Sequence, residues 1–253
     1  MIRVAVISDV HANAGAFRAA LACARAQGFD RLIILGDLLT YGCDPHEVLD
    51  LTADAVARDG AVLIKGNHDQ MYLDLAAGAC AYRDRLPDWL RETTDWTHAA
   101  LEGRPLAFDW QESLQLDGVF FAHANPFAYG DWSYLNTEAD FRRAASALQV
   151  RGMRAGIFGH THRARILTVA DKVLDHGQRA RLEGGDTVIA NPGSCGQPRD
   201  ARRESSMMRM DIAPDALDIA ILPVNYDLTA FRTRMDATAL SDATKTRLLE
   251  FFP

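Results

Sequence analysis

The sequence predicts an α/β fold in which two sheets face each other and helices cover their outer sides. Three observations carry that expectation. Five short apolar runs, Val4-Ala5-Val6-Ile7, Leu32-Ile33-Ile34-Leu35, Ala61-Val62-Leu63-Ile64, Val119-Phe120-Phe121 and Ile157-Phe158, each read as a buried strand. The first 70 residues alternate such runs with segments of helical spacing, which implies right-handed crossovers and a largely parallel sheet. From residue 113 onward strand-like runs follow one another, so a second sheet is expected to pack on the first.

In chain order, Asn13 is placed to cap a first helix whose apolar stripe is Phe17, Leu21 and Ala24, and Gly28 is placed to stop it. The second helix has fuller punctuation. Asp44 reads as its N-cap, Pro45 opens the first turn, and Glu47 completes a capping box. Residues 70–112 break the rhythm: they hold Trp89, Trp96 and Trp110 and a helix-like stretch around 86–102. They read as a helical insertion covering the site or packing beside it, with the tryptophans serving packing. Strands are expected at 113–116, 118–122, 155–158, 165–170, 186–190, 206–212 and 216–221, and helices at 137–150 and near 240–251. With no repeat, low-complexity tract or linker in view, residues 1–253 read as one domain.

At 253 residues and 48% hydrophobic content the chain can bury a sizeable core. No apolar stretch reaches bilayer-spanning length and no signal pattern opens the chain, so a soluble cytoplasmic protein with no membrane partner is expected. A net charge of −7 argues against broad nucleic-acid binding. Cys23, Cys43, Cys80 and Cys195 form no Cys-x-x-Cys pair, which implies neither a structural zinc nor a disulfide framework.

The chemistry lies in the residues that end the apolar runs. Asp9 and His11, Asp37, Asn67-His68-Asp69, His123, and His160 with His162 follow the five runs in order. In open α/β sheets, ligands bind in the crevice beyond the carboxyl ends of the strands. A catalytic divalent cation wants neutral imidazole and anionic carboxylate, with positions left for water and substrate. Asp9 and His11 are two residues apart, so both are expected to project to one side of a strand end. His160 and His162 repeat the spacing, with Gly159 allowing a sharp backbone turn. Asp37 has two oxygens and can bridge two cations, whereas Asn67 offers one neutral amide oxygen.

Taken together, Ser8-Asp9-Val10-His11-Ala12-Asn13, Gly36-Asp37, Gly66-Asn67-His68-Asp69, His123, Gly159-His160-Thr161-His162 and Asn191-Pro192-Gly193-Ser194 give a chain that resembles the calcineurin-like metallophosphoesterases. The last turn looks like that of their small prokaryotic phosphodiesterase-like branch, and the resemblance runs to about residue 222. It implies a four-layer α/β/β/α sandwich with two facing mixed sheets, a helical insertion, and two divalent metal ions at one edge. Asp9, His11 and His162 would hold one ion, Asn67, His123 and His160 the other, and Asp37 would bridge them. His68 would be the catalytic residue beside the scissile phosphate. A hydroxide activated by both metals would attack phosphorus in line while His68 protonates the leaving oxygen. Mn or Fe is expected, with Zn, Ni and Co also acceptable to a set without thiolate.

Protein phosphatases of this superfamily carry Gly-Asp-x-x-Asp-Arg-Gly, where this chain reads Gly36-Asp37-Leu38-Leu39-Thr40-Tyr41-Gly42. The missing Asp and Arg disfavour a phosphoserine or phosphothreonine phosphatase and leave His68 without an evident orienting partner. Three residues are candidate substrate contacts: Arg199 as a bidentate phosphate clamp, Asn13 and Tyr41. Each has a competing structural role, as an ion pair, a helix cap and a packing ring respectively. The Asn191–Ser194 turn reads as structural. The expected function is a phosphodiesterase acting on a small nucleotide or diester. The alternatives are a dinucleoside polyphosphate hydrolase of the diadenosine tetraphosphate type, and a non-catalytic scaffold using the fold as an interaction surface.

Overall fold

The computed structural model describes residues 1–79 and 83–253, so Cys80 lies outside the described residues. Strands β1 (Ile2–Ile7), β2 (Arg31–Ile34) and β3 (Val62–Ile64) run parallel, and a short β4 (Trp110–Gln111) extends them at the edge. Helices α1 (Ala14–Gln27) and α2 (Pro45–Asp59) make the first two crossovers. Beyond β1 the sheet turns antiparallel through β12 (Ser206–Ile212), β13 (Ala216–Pro223) and β10 (Arg179–Glu183). The second sheet has the order β5 (Ser113–Leu116), β6 (Val119–Ala122), β7 (Ala155–Phe158), β11 (Thr187–Asn191), β8 (Arg165–Val169) and β9 (Val173–Asp175). Within it β6, β7 and β11 are parallel. Both sheets are therefore mixed.

Side-chain alternation sorts the residues into layers. Val4, Val6, Ile33 and Ile64 meet Phe121, Ile157, Ile166 and Val188 between the sheets. Ala5, Ile7, Leu32 and Ile34 point the other way, under Phe17, Leu21 and Val48 of α1 and α2. On the far side, Phe120, Phe158, Leu167 and Ile189 pack against Phe141 and Leu148 of α5 (Glu138–Val150). The central strands are thus buried on both faces, which is why they read as continuous apolar runs. Each fully buried Val, Leu, Ile or Phe contributes about 1.5–3 kcal/mol. The order helix, sheet, sheet, helix is the expected sandwich.

Local signals fared unevenly. The Asn13 carboxamide oxygen accepts the Ala16 N–H at 3.1 Å, and Gly28 ends α1 at φ +70°. The capping box expected at α2 does not form. Asp44 instead accepts the Ala14 N–H and two bonds from Arg234, at 2.8 and 3.0 Å, while Glu47 pairs with Arg18. A bidentate ion pair with a distant helix outcompetes the local cap.

Several elements go beyond those expected from the sequence. β4 is only two residues long. β9 pairs with β8 at the edge of the second sheet. β10 is Arg-Ala-Arg-Leu-Glu, whose only apolar residues, Ala180 and Leu182, join the inter-sheet core. Helix α6 (Leu228–Asp236) buries only Phe231 and Met235, too thin a stripe to show as periodicity.

Within 70–112 lie the body of α3 (Asn67–Ala76) and α4 (Asp88–Ala100). Trp89 and Trp96 pack with Tyr41, Phe231, Leu248 and Phe252, a cluster completed by α6 and α7 (Asp242–Leu249). Trp110 packs on the α1/α2 side of the first sheet. Among the described residues no helix is long and apolar enough to cross a membrane.

Asn13→Ala removes the α1 cap. Urea unfolding is expected to show a loss of about 1–2 kcal/mol, with KM for any substrate unmoved.

Candidate metal centre

The loops after β1 and β2 are fastened side by side by their backbones. The N–H groups of Asp9, His11 and Ala12 donate to the carbonyls of Gly36, Asp37 and Leu38 at 3.1, 2.9 and 2.8 Å. The Asp69 carboxylate ties in the loop after β3, accepting N–H bonds from Gly66, Asp37 and Leu38 at 2.8, 2.7 and 3.0 Å. Gly66 has no room for a side chain, since a Cβ there would sit 2.2 Å from Asp37 Oδ1.

Asp9 and His11 do reach the same side, but not by strand alternation. β1 ends at Ile7, and both residues adopt left-handed backbone, φ 54° and 46°. Asp37, His160 and His162 do the same at 53°, 63° and 57°. Gly159 is needed for closeness rather than for a turn: it stays outside the left-handed region, and a Cβ would lie 1.9 Å from Ser8 Oγ. The Asn191 amide holds this loop, donating to Gly159 O at 2.6 Å and Thr161 Oγ1 at 3.1 Å.

Two buried groups result. One donor atom each from Asp9, His11 and His162 lies within 4.8 Å of the others, and the same holds for Asp37, His123 and His160. Asn67 Oδ1 approaches His123 Nε2 at 3.1 Å and so joins the second group. The imidazole orientations are fixed from behind. Nδ1 of His11, His123 and His162 faces the carbonyls of Leu39, Leu35 and Gln197 at 2.9, 2.5 and 2.6 Å. A carbonyl only accepts, so each of these Nδ1 atoms carries a proton and a neutral ring presents a bare Nε2. His160 is reversed, with Nε2 on the Trp132 carbonyl at 2.9 Å and Nδ1 left free.

Those bare nitrogens face other acceptors. His11 Nε2 is 3.1 Å from His162 Nε2, His162 Nε2 is 3.3 Å from Asp9 Oδ1, and His123 Nε2 is 3.3 Å from Asp37 Oδ2. Such an arrangement repels itself until a positive charge enters. Nitrogen and oxygen donors, with no thiolate, fit divalent cations.

The titration behaviour shows the same demand for positive charge: with no cation held, a proton on His123 supplies it beside Asp37. Burial favours a neutral Asp37, yet His123, His68 and His11 hold it well below the usual carboxylate range. Burial likewise opposes a charged His123, but Asp37 and then Asp9 push it up to about 9. Asp9 is held low against its burial by His162. Burial pushes His160 and His68 down to about 4. Asp69 rises to about 7, through burial and the Asp37 charge.

His68 does have an orienting partner. Its Nδ1 is 3.0 Å from Thr40 Oγ1, which is 2.9 Å from the Tyr72 hydroxyl, and its Nε2 is 3.1 Å from the Tyr41 hydroxyl. Thr40 occupies the position at which protein phosphatases of the superfamily carry Asp, so the motif's own spacing pointed to it. Thr40 and Tyr41 are held at φ 74° and 67°, conformations that are outliers for β-branched or bulky residues.

Of the substrate-contact candidates, Asn13 has its side chain engaged in structural bonds. It is fully buried, and its amide nitrogen donates to Gly196 O and Tyr226 Oη while its oxygen caps α1. Tyr41 has its ring packed among α6 and α7 and its hydroxyl on His68. Arg199 has no carboxylate within 4.0 Å among the described residues. It lies over the rings of Tyr41 and Phe251, at 5.4 and 5.1 Å, and bonds Gln197 Oε1. Residues missed in the sequence are Thr40, Tyr72, Trp132 through its carbonyl, and Tyr134, which stacks on His160 at 4.3 Å and 10°.

A profile of the calcineurin-like phosphoesterase superfamily domain matches residues 2–215, and the chain belongs to that family. Its members hydrolyse phosphoester bonds and use divalent metals in a binuclear centre. An uncharacterised protein of Methanocaldococcus jannaschii is 28% identical over 233 residues, 89% of this chain and 88% of that protein. The fold is shared with a metallophosphoesterase from Sphaerobacter thermophilus, at TM-score 0.74 and 23% identity over 99% of both chains. It is shared equally with a hypothetical protein from Pyrococcus horikoshii OT3, at TM-score 0.76 and 22% identity over 98% of both chains.

Asp37→Ala is expected to lose bound metal, measured by elemental analysis of the purified protein. Thr40→Val should keep its metal content yet lower kcat by roughly 10–100-fold, the usual cost of losing an outer-shell partner.

Proposed function

We propose that this metallophosphoesterase is a phosphodiesterase acting on a small nucleotide or phosphodiester. The observation that carries the reading is the pair of inward-facing donor groups with His68 at their margin, its Nε2 4.0 Å from Asp37 Oδ2. Asp9, His11 and His162 would hold one divalent ion, Asn67, His123 and His160 the other, and Asp37 both. When bound, the ions supply a nucleophile from water at neutral pH and neutralise charge on phosphoryl oxygens.

The protein's own groups then divide the remaining work. Thr40, donating its hydroxyl proton to His68 Nδ1, leaves the ring proton on Nε2, the nitrogen nearest Asp37. From there the neutral imidazole donates a hydrogen bond to the leaving oxygen and stabilises the negative charge that develops on it. Arg199, a cation with no carboxylate partner among the described residues, offers its guanidinium to a non-reacting phosphoryl oxygen. Tyr41 holds both neighbours, through its hydroxyl on His68 and its ring under Arg199.

A diester or nucleotide suits this arrangement better than a phosphoprotein. The Asp-Arg pair of the protein phosphatases is replaced by Thr40-Tyr41, leaving Arg199 as the cation stacked beside His68's partner. Mn and Fe are the ions we favour, since the donor set mixes imidazole with carboxylate and amide oxygen.

Activity should vanish on chelation and return with Mn²⁺ when aryl phosphodiesters and monoesters are assayed. His68→Ala should retain both ions but lose roughly 10²–10⁴ of turnover. Metal-loaded protein that hydrolyses no phosphoester in such a panel would sink the reading.

A further inference from the structure

Tyr134 is conspicuous because it is rigidly held and yet exposed. It is 48% exposed, the one aromatic residue among the exposed large hydrophobic residues described. Its ring lies parallel to the buried His160 ring, so one face covers a candidate metal ligand and the other is open. His160 also lies against His123, ring centroids 5.1 Å apart, so Tyr134 sits directly over the second donor group.

The segment carrying it is pinned on both sides. The Asn125 amide donates to the carbonyls of Asp131 and Ser133, at 2.8 and 3.1 Å. Trp132 O is bound by His160. Leu135 is buried against α5, and the N–H groups of Asn136 and Thr137 donate to Asp140 Oδ2 at 3.0 and 2.8 Å. An aromatic ring fixed in advance loses little entropy when a ligand stacks on it.

We propose that the open face of Tyr134 is a stacking platform for a planar heteroaromatic group of the substrate, a nucleobase, and so selects nucleotide phosphoesters over aliphatic ones. The inference rests on the phosphoesterase reading and deepens it. His160 links the two functions, since the same imidazole faces the metal group with Nδ1 and backs the stacking ring with its π-face. A base stacked there would project its phosphate toward the donor groups behind His160. Arg199 and His68, which both contact Tyr41, are the groups that would receive it.

The test compares two diesters differing only in the base, the methyl esters of adenosine 5′-phosphate and of ribose 5-phosphate, on Mn²⁺-loaded protein. The parent should prefer the adenosine compound by roughly tenfold or more in kcat/KM, as expected for one stacked base. Tyr134→Leu keeps apolar cover over His160 but removes the π-face. It should raise KM for the adenosine ester by about that factor, leaving the ribose ester and the metal content unchanged. Tyr134→Trp should keep the preference.

Equal turnover of the two esters by the parent overturns the stacking inference and leaves the phosphoesterase reading standing. So does a Tyr134→Leu loss shared by both esters, or one that follows metal loss. If neither ester is hydrolysed, nor any other phosphoester, both readings fall together.

Discussion

The molecule depends on an electrostatic contradiction: acceptor atoms are held against acceptor atoms in a buried site. His11 and His162 present nitrogen lone pairs to each other at 3.1 Å, and His123, whenever its ring is neutral, presents one to the Asp37 carboxylate at 3.3 Å. Left alone, rings in such positions would rotate away. They cannot, because carbonyls of Leu39, Leu35 and Gln197 hold each from behind by its other nitrogen. The backbone thereby converts flexible side chains into a preorganised cation receptacle.

Building that receptacle is costly. Five candidate ligands sit in left-handed backbone, at about 1–3 kcal/mol each, roughly 5–15 kcal/mol together. That is as large as the whole net stability of a typical domain. The offset comes from around the site. Loop-to-loop N–H bonds, the three N–H groups gathered by Asp69, and glycines at 66 and 159 let the segments touch without side chains between them. The two-faced burial of β1, β2, β7 and β11 gives the strained loops a rigid base.

Thr40, standing where the protein phosphatases of the superfamily carry Asp, determines how His68 is held. An aspartate would stabilise a charged imidazole. Thr40, hydrogen-bonded to Tyr72, offers a neutral hydroxyl that can only choose a tautomer. The ring of Tyr41 then connects this relay to α6 and α7, beyond the matched residues 2–215. These C-terminal helices thus help build the wall of the site, with Phe251 and Tyr41 both under the Arg199 guanidinium.

The sequence by itself marked most of the strands, the layers and the polar residues that end the central strands. A strand buried on both faces must be apolar throughout, and its end must turn polar where the chain emerges, so Asp9, Asp37, Asn67, His123 and His160 announced themselves. Tertiary structure decided what depends on distant partners. Arg234 drew Asp44 away from the expected capping box, and Gly196 and Tyr226 claimed the Asn13 amide. Thr40 became the support of His68, and Tyr134 came to rest on His160. Side-chain type and spacing reveal what a residue can bind. Which of several competent partners it does bind is settled by the folded chain, where the bond that also satisfies packing wins.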